Sequence, residues 1–140
     1  MAWRNSWLLG LSFLVACSQG GDPTATDPQL LFEDAFVSPP SEVEIVAEGG
    51  TRVRGLDGWL KLKPGLSGLK LRYPERFVFR DCAEPLAWFA GVNEDTRLTA
   101  GSGSFVCQES VEPRFSFDNG RWLVTDRSSG LVYYRIWKQY

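Results

Sequence analysis

From Ser41 onward, apolar residues fall at every second position. Val43, Ile45 and Ala47 alternate with Glu42, Glu44 and Glu48, Gly49-Gly50 follow, and Arg52 and Arg54 then flank Val53. A period of two predicts a half-buried strand, and the paired glycines predict the turn into its return. The glutamates and arginines then read as cross-strand partners on a wet face. Leu60 and Leu62 alternate with Lys61 and Lys63, Pro64-Gly65 opens a turn, and Leu69, Leu71 and Tyr73 alternate with Lys70 and Arg72 as a further strand. Phe77 and Phe79 continue the pattern, Phe115 and Phe117 follow Pro113, and Asp118-Asn119-Gly120 leads into Arg121 to Thr125. Asn-Gly supplies the positive φ angles that a tight hairpin requires. A last turn at Arg127-Ser128-Ser129-Gly130 precedes Leu131 to Trp137. Within that strand Leu131-Val132-Tyr133-Tyr134 is apolar on both faces, which predicts a central strand or one whose second face meets something else.

Two stretches depart from the alternation. Asp27 before Pro28 combines a side-chain cap with proline at the first helical position, and the apolar residues up to Phe36 keep helical spacing until Pro39-Pro40. Glu84-Pro85-Leu86-Ala87-Trp88-Phe89-Ala90-Gly91 reads as a short helix by the same proline-in, glycine-out logic, or else as one more strand. The expectation is an all-β fold: a single small antiparallel β-sandwich or barrel of about seven to nine short strands, with one or two short helices. Long helices do not alternate with the strands, which argues against a doubly wound α/β fold.

The first residues follow another logic. Arg4 precedes an apolar run of about ten residues, Trp7 to Ala16, half the length of about 20 needed to span a bilayer. The run ends Leu14-Val15-Ala16-Cys17. This resembles the lipobox of bacterial lipoproteins. The resemblance implies cleavage after Ala16, a diacylglycerol thioether and an acyl chain on Cys17, and attachment to the cell envelope. Ser18, in place of an aspartate, is similar to the pattern sent on to the outer membrane, with the domain facing the periplasm or the cell surface. Residues 18–27 contain no large apolar side chain and read as a tether. The chain thus divides into residues 1–16 as signal peptide, 17–27 as lipidated Cys and tether, and 28–140 as one β-rich domain.

Composition narrows the chemistry. Fifteen Lys and Arg against 17 Asp and Glu give a net charge of −2, which offers no attraction to nucleic acid. The absence of His removes the commonest general base and metal ligand. With Cys17 assigned to lipid, Cys82 and Cys107 form an even pair for a disulfide in an oxidising compartment. No thiol is then left for a soft metal, and the acids at Glu33-Asp34, Asp81 with Glu84, and Glu94-Asp95 lack the spacing of a calcium loop, so neither metal nor cofactor is expected. Two of Asp81, Glu84, Glu94 and Asp95 brought together would suit a carboxylate-dependent hydrolase of cell-wall glycan; the alternative is ordinary solvated loop acids.

Two features suit binding instead. Gly101, Ser102, Gly103 and Ser104 form a small-residue loop able to enter a partner's cleft or simply to turn a hairpin. Gly101-Ser102-Gly103 resembles the Ser-Gly-Ser-Gly loop of the lipoprotein inhibitors of C-type lysozymes, small disulfide-bearing β-barrels, although the basic and aromatic residues that follow in those inhibitors are missing here. Trp59, Trp88, Trp122, Tyr133, Tyr134, Trp137 and Tyr140 supply either core or a face for a glycan or an envelope protein. The sequence therefore predicts a lipid-anchored envelope protein with a binding, adaptor or structural role rather than a catalyst.

Overall fold

The computed structural model describes residues 24–98, 104–111 and 119–139. Helix α1 (Pro28–Ala35) starts as its sequence predicts: Asp27 is the cap, its carboxylate accepting from the Gln29 N–H at 3.0 Å, and Pro28 opens the helix where no N–H is needed. Its buried side is Leu31, Phe32 and Ala35. Strands β1 (Val43–Thr51) and β2 (Gly55–Pro64) form a hairpin, followed across the sheet by β3 (Val78–Arg80), helix α2 (Ala83–Asn93), β4 (Phe105–Val111), β5 (Gly120–Asp126) and β6 (Val132–Gln139). All neighbours are antiparallel, in the order β1-β2-β6-β5-β4-β3.

Among the described residues this is one open six-stranded antiparallel sheet, and the sandwich or barrel of seven to nine strands that the alternation suggests does not appear in them. What opposes the sheet is helix and crossover chain. On one face, called A, α1 packs on Leu60, Leu62, Leu123, Val132, Tyr134 and Ile136. On the other, B, the α2 side chain of Phe89 packs among Trp122, Val124 and Tyr133. The strand apolar on both sides is central as expected: successive residues of β6 feed the two cores in turn, and Tyr133 and Tyr134 are both 0% exposed.

Two predicted strand features resolve differently. Residues Leu69 to Tyr73 belong to the crossover from β2 to β3. Leu69 and Leu71 pack on core A, while backbone bonds go to the end of α1: Val37 N–H to Lys70 O at 2.9 Å, and Arg72 N–H to Ala35 O at 2.8 Å. The alternation records which side chains are buried, and a segment lying across a sheet buries alternate residues as well as a strand within it. Nor does Gly49-Gly50 turn the chain; both lie within β1, opposite Trp59 and Gly58, and the turn is Arg52 to Arg54. Gly49 is required by close approach, because a Cβ there would sit 2.6 Å from Trp59 Nε1. Gly120 stands opposite Trp137 in the same way, 2.5 Å from the indole. At Asn119-Gly120 the glycine is already in β5, and Asn119 is buried, its side-chain oxygen accepting from the Gln139 N–H at 2.8 Å. Phe115, Phe117 and Asp118 lie outside the described residues.

The stretch read as helix or strand is helix α2, running past Gly91 to end where Glu94 takes a left-handed conformation, φ 52°. Cys82, immediately before it, is joined by a disulfide to Cys107 of β4, with Cα atoms 5.4 Å apart. The bridge fixes the start of α2 to face B. Among the described residues no helix is long and apolar enough to cross a membrane.

Candidate functional site

Among the described residues, core A does not close at the end of the sheet nearest the turn of residues 127–130. The crossover passes over β6, β5 and β4 at a distance that leaves a half-open groove of about 660 Å³. Leu123 and Val132 form its floor, Leu69 and Leu71 its roof, and Phe36 its inner end. Gln108 and Thr125 project from the same sheet face, and Lys70 lies along the wall, so the groove is apolar with a few polar groups at its margin. That volume and lining are those of a small-ligand site, typically about 300 to 1,000 Å³.

Face B gathers the tryptophans. Strand register places Trp59 of β2 and Trp122 of β5 on either side of Arg135 in β6. The guanidinium lies 4.0 Å from the Trp88 ring, 4.6 Å from Trp137 and 5.0 Å from Trp122, and donates two bonds to Asp57, at 3.0 and 2.9 Å. A planar cation with a bidentate carboxylate is the form of charge best suited to such an aromatic setting. Trp122 Nε1 donates to Glu109 at 3.0 Å, and Arg80 donates to the same carboxylate oxygen at 3.0 Å. Three of these indoles keep partly exposed edges, and Trp122 is buried.

Three of the four carboxylates singled out for catalysis are paired with arginines. Asp81 and Glu84 flank Arg80 at 3.6 and 3.8 Å, both more than two-thirds exposed. Asp95 is paired with Arg97 at 2.8 Å, whose hydrogen bond holds its carboxyl below the ordinary range, and Glu94 is exposed at the end of α2. Thus two of the four acids share a cation on the surface, away from the apolar groove. Among the described residues no three metal-binding side chains cluster.

Of the predicted site residues, Cys82 and Cys107 form the disulfide. Ser104 is exposed just before β4, its carbonyl accepting from the Arg127 N–H at 2.8 Å. Cys17, Gly101, Ser102, Gly103 and Tyr140 lie outside the described residues. The face A groove is hidden in the sequence because the alternation of its roof is that of a strand; its trace is that Leu69 and Leu71 sit between Pro64-Gly65 and Tyr73-Pro74. No protein-family model matches this chain, and neither the curated proteins nor the solved structures contain a match to it.

Proposed function

We propose that this is a lipid-anchored envelope protein whose β domain binds the acyl chain of an amphipathic ligand in the face A groove. The carrying observation is the groove itself: an apolar slot of about 660 Å³ that is continuous with the core and open among the described residues. Burial of an acyl chain there is worth roughly 0.8 kcal/mol per methylene before ordering costs. Gln108, Thr125 and Lys70 stand at the margin, where a polar or anionic head would remain wet. The signal-like run and Leu14-Val15-Ala16-Cys17 support the anchor.

Titration with a dansylated fatty acid tests the reading. Saturable fluorescence enhancement, displaced by unlabelled dodecanoate, is expected, and Thr125→Trp, which fills the slot from its rim, should weaken binding at least about tenfold, a change of about 1.4 kcal/mol. Binding that does not saturate, or that is indifferent to Thr125→Trp in a folded variant, overturns it.

A further inference from the structure

The tether meets the folded domain at one end of the sheet. The Thr24 carbonyl accepts from the Arg52 N–H at 2.8 Å, and Ala25 bridges to Thr51, so residue 24 lies beside the β1–β2 turn. That turn presents Arg52, Val53 and Arg54, the valine 61% exposed. Arg54 holds a left-handed backbone, φ 58°, a strained conformation for a side chain of this size that fixes the tip's shape. Next to it, the end of β6 adds Lys138, and a recess of about 290 Å³ is lined by Val53, Arg54, Asp57, Arg135, Trp137 and Lys138. Asp57 is engaged by Arg135 through both oxygens; on the neighbouring recess with Arg52 and Lys138, Asp27 caps α1 and Asp34 is paired with Arg121 at 3.4 Å. No carboxylate is paired with Arg52, Arg54 or Lys138 among the described residues. The end of the domain is thus locally basic in a chain that is acidic overall.

We infer that this tip, Arg52-Val53-Arg54 with Lys138, docks on the anionic phospholipid surface that holds the anchor. The inference rests on the lipidation of Cys17 proposed above. From Cys17 to Thr24 is seven residues, which span at most about 25 Å even when fully extended, so the basic tip is the part of the domain that the anchor holds closest to the bilayer. Charge complementarity supplies the attraction, acting within a Debye length of about 8 Å. Val53 is the apolar residue between two phosphate-seeking arginines, and Trp137 lines the recess behind them, a pairing that suits the membrane–water boundary. Docked this way, the opposite end of the sheet, with the turn of residues 127–130 and the mouth of the face A groove at Gly130, points away from the membrane.

The test uses the full lipidated chain in vesicles, with single cysteines labelled by a nitrobenzoxadiazole fluorophore; Cys82 and Cys107 are occupied by their bridge and Cys17 by lipid. With Val53→Cys, blue-shifted emission shielded from iodide is expected in phosphatidylethanolamine–phosphatidylglycerol vesicles. Ser129→Cys, at the far end, should stay solvent-like. Each of Arg52→Gln, Arg54→Gln and Lys138→Gln should reduce the docked-to-undocked ratio about fivefold, and pure phosphatidylcholine should abolish the difference between the two labels. Radiolabelled palmitate on the wild type and on Cys17→Ser separates the two readings. An unacylated Cys17 overturns anchor and docking together. An acylated Cys17 with position 53 as accessible as position 129 in anionic vesicles overturns the docking alone.

Discussion

Tyr133 and Tyr134 are neighbours that point to opposite faces of the sheet, and neither hydroxyl has a hydrogen-bond partner among the described residues. Burial is the main cause that raises both above the ordinary phenol range; Tyr134 also faces the Arg121–Asp34 pair without hydrogen-bond geometry to it. A buried hydroxyl without a partner contributes its ring to packing and a desolvation cost through its oxygen. Tyr133→Phe keeps the ring contact with Phe89, at 5.5 Å between centroids, and removes that cost. We expect the urea midpoint to stay or to rise, by up to about 1 kcal/mol in stability; a loss of that size would mean that the hydroxyl is bonded. At this scale the sequence was informative: Asp27 and Pro28 marked the start of α1 through chemistry local to the backbone they cap. Gly49 was misleading because a glycine admits two reasons, a turn or a close neighbour, and the neighbour, Trp59, arrives only through pairing.

Among the elements, α2 is the one that a covalent tie holds to the sheet. It is 11 residues long, short for a helix standing alone, and its cap residue Cys82 makes no side-chain cap hydrogen bond. The Asp81 carboxylate accepts from the Ala83 N–H at 3.2 Å instead, and the disulfide adds a covalent tie at the same end. Closing a loop of separation 25 is worth about 3.5 kcal/mol in the chain-entropy model. The double variant Cys82→Ser with Cys107→Ser should therefore lose roughly 3 kcal/mol, read by chemical denaturation, with protease cleavage appearing first in α2. An unchanged midpoint would show that packing of Phe89 alone holds the helix. Cysteine counting made the bridge legible, whereas the layer opposite the sheet was not. Alternate burial in Leu69, Lys70, Leu71 and Arg72 is common to a strand and to a crossover, and only the backbone bonds to α1 distinguish them.

Over the whole molecule, the titrating groups bracket a flat plateau. Burial opposes ionisation of Asp126, but bonds from Ser129 and Ser128 outweigh it and hold its carboxyl below the ordinary range, as Arg97 does for Asp95. Carboxyls depressed in the fold contribute stability above their unfolded pKa of about 4 and lose it as pH falls through their lower folded values. Tyr133 and Tyr134, raised in the fold, contribute stability fully below about pH 10 and lose it as pH climbs further. With no His in the chain, unfolding midpoints should be level across neutrality and fall at both extremes. A step between about pH 6 and 7 would reveal another titrating group. The strand order has a consequence of a different kind, for the time at which the protein comes into being. Among the described residues, the two halves of the sheet, β1-β2 and β5-β4-β3, are hydrogen-bonded together through β6, which follows all the other described strands in chain order. Until residues 132–139 are available the earlier strands form two separate ribbons with open edges, and the two-stranded β1-β2 hairpin is marginal by itself. A sheet ordered in this way is expected to complete itself in one event, when the eight-residue β6 enters between the two ribbons and pairs with both.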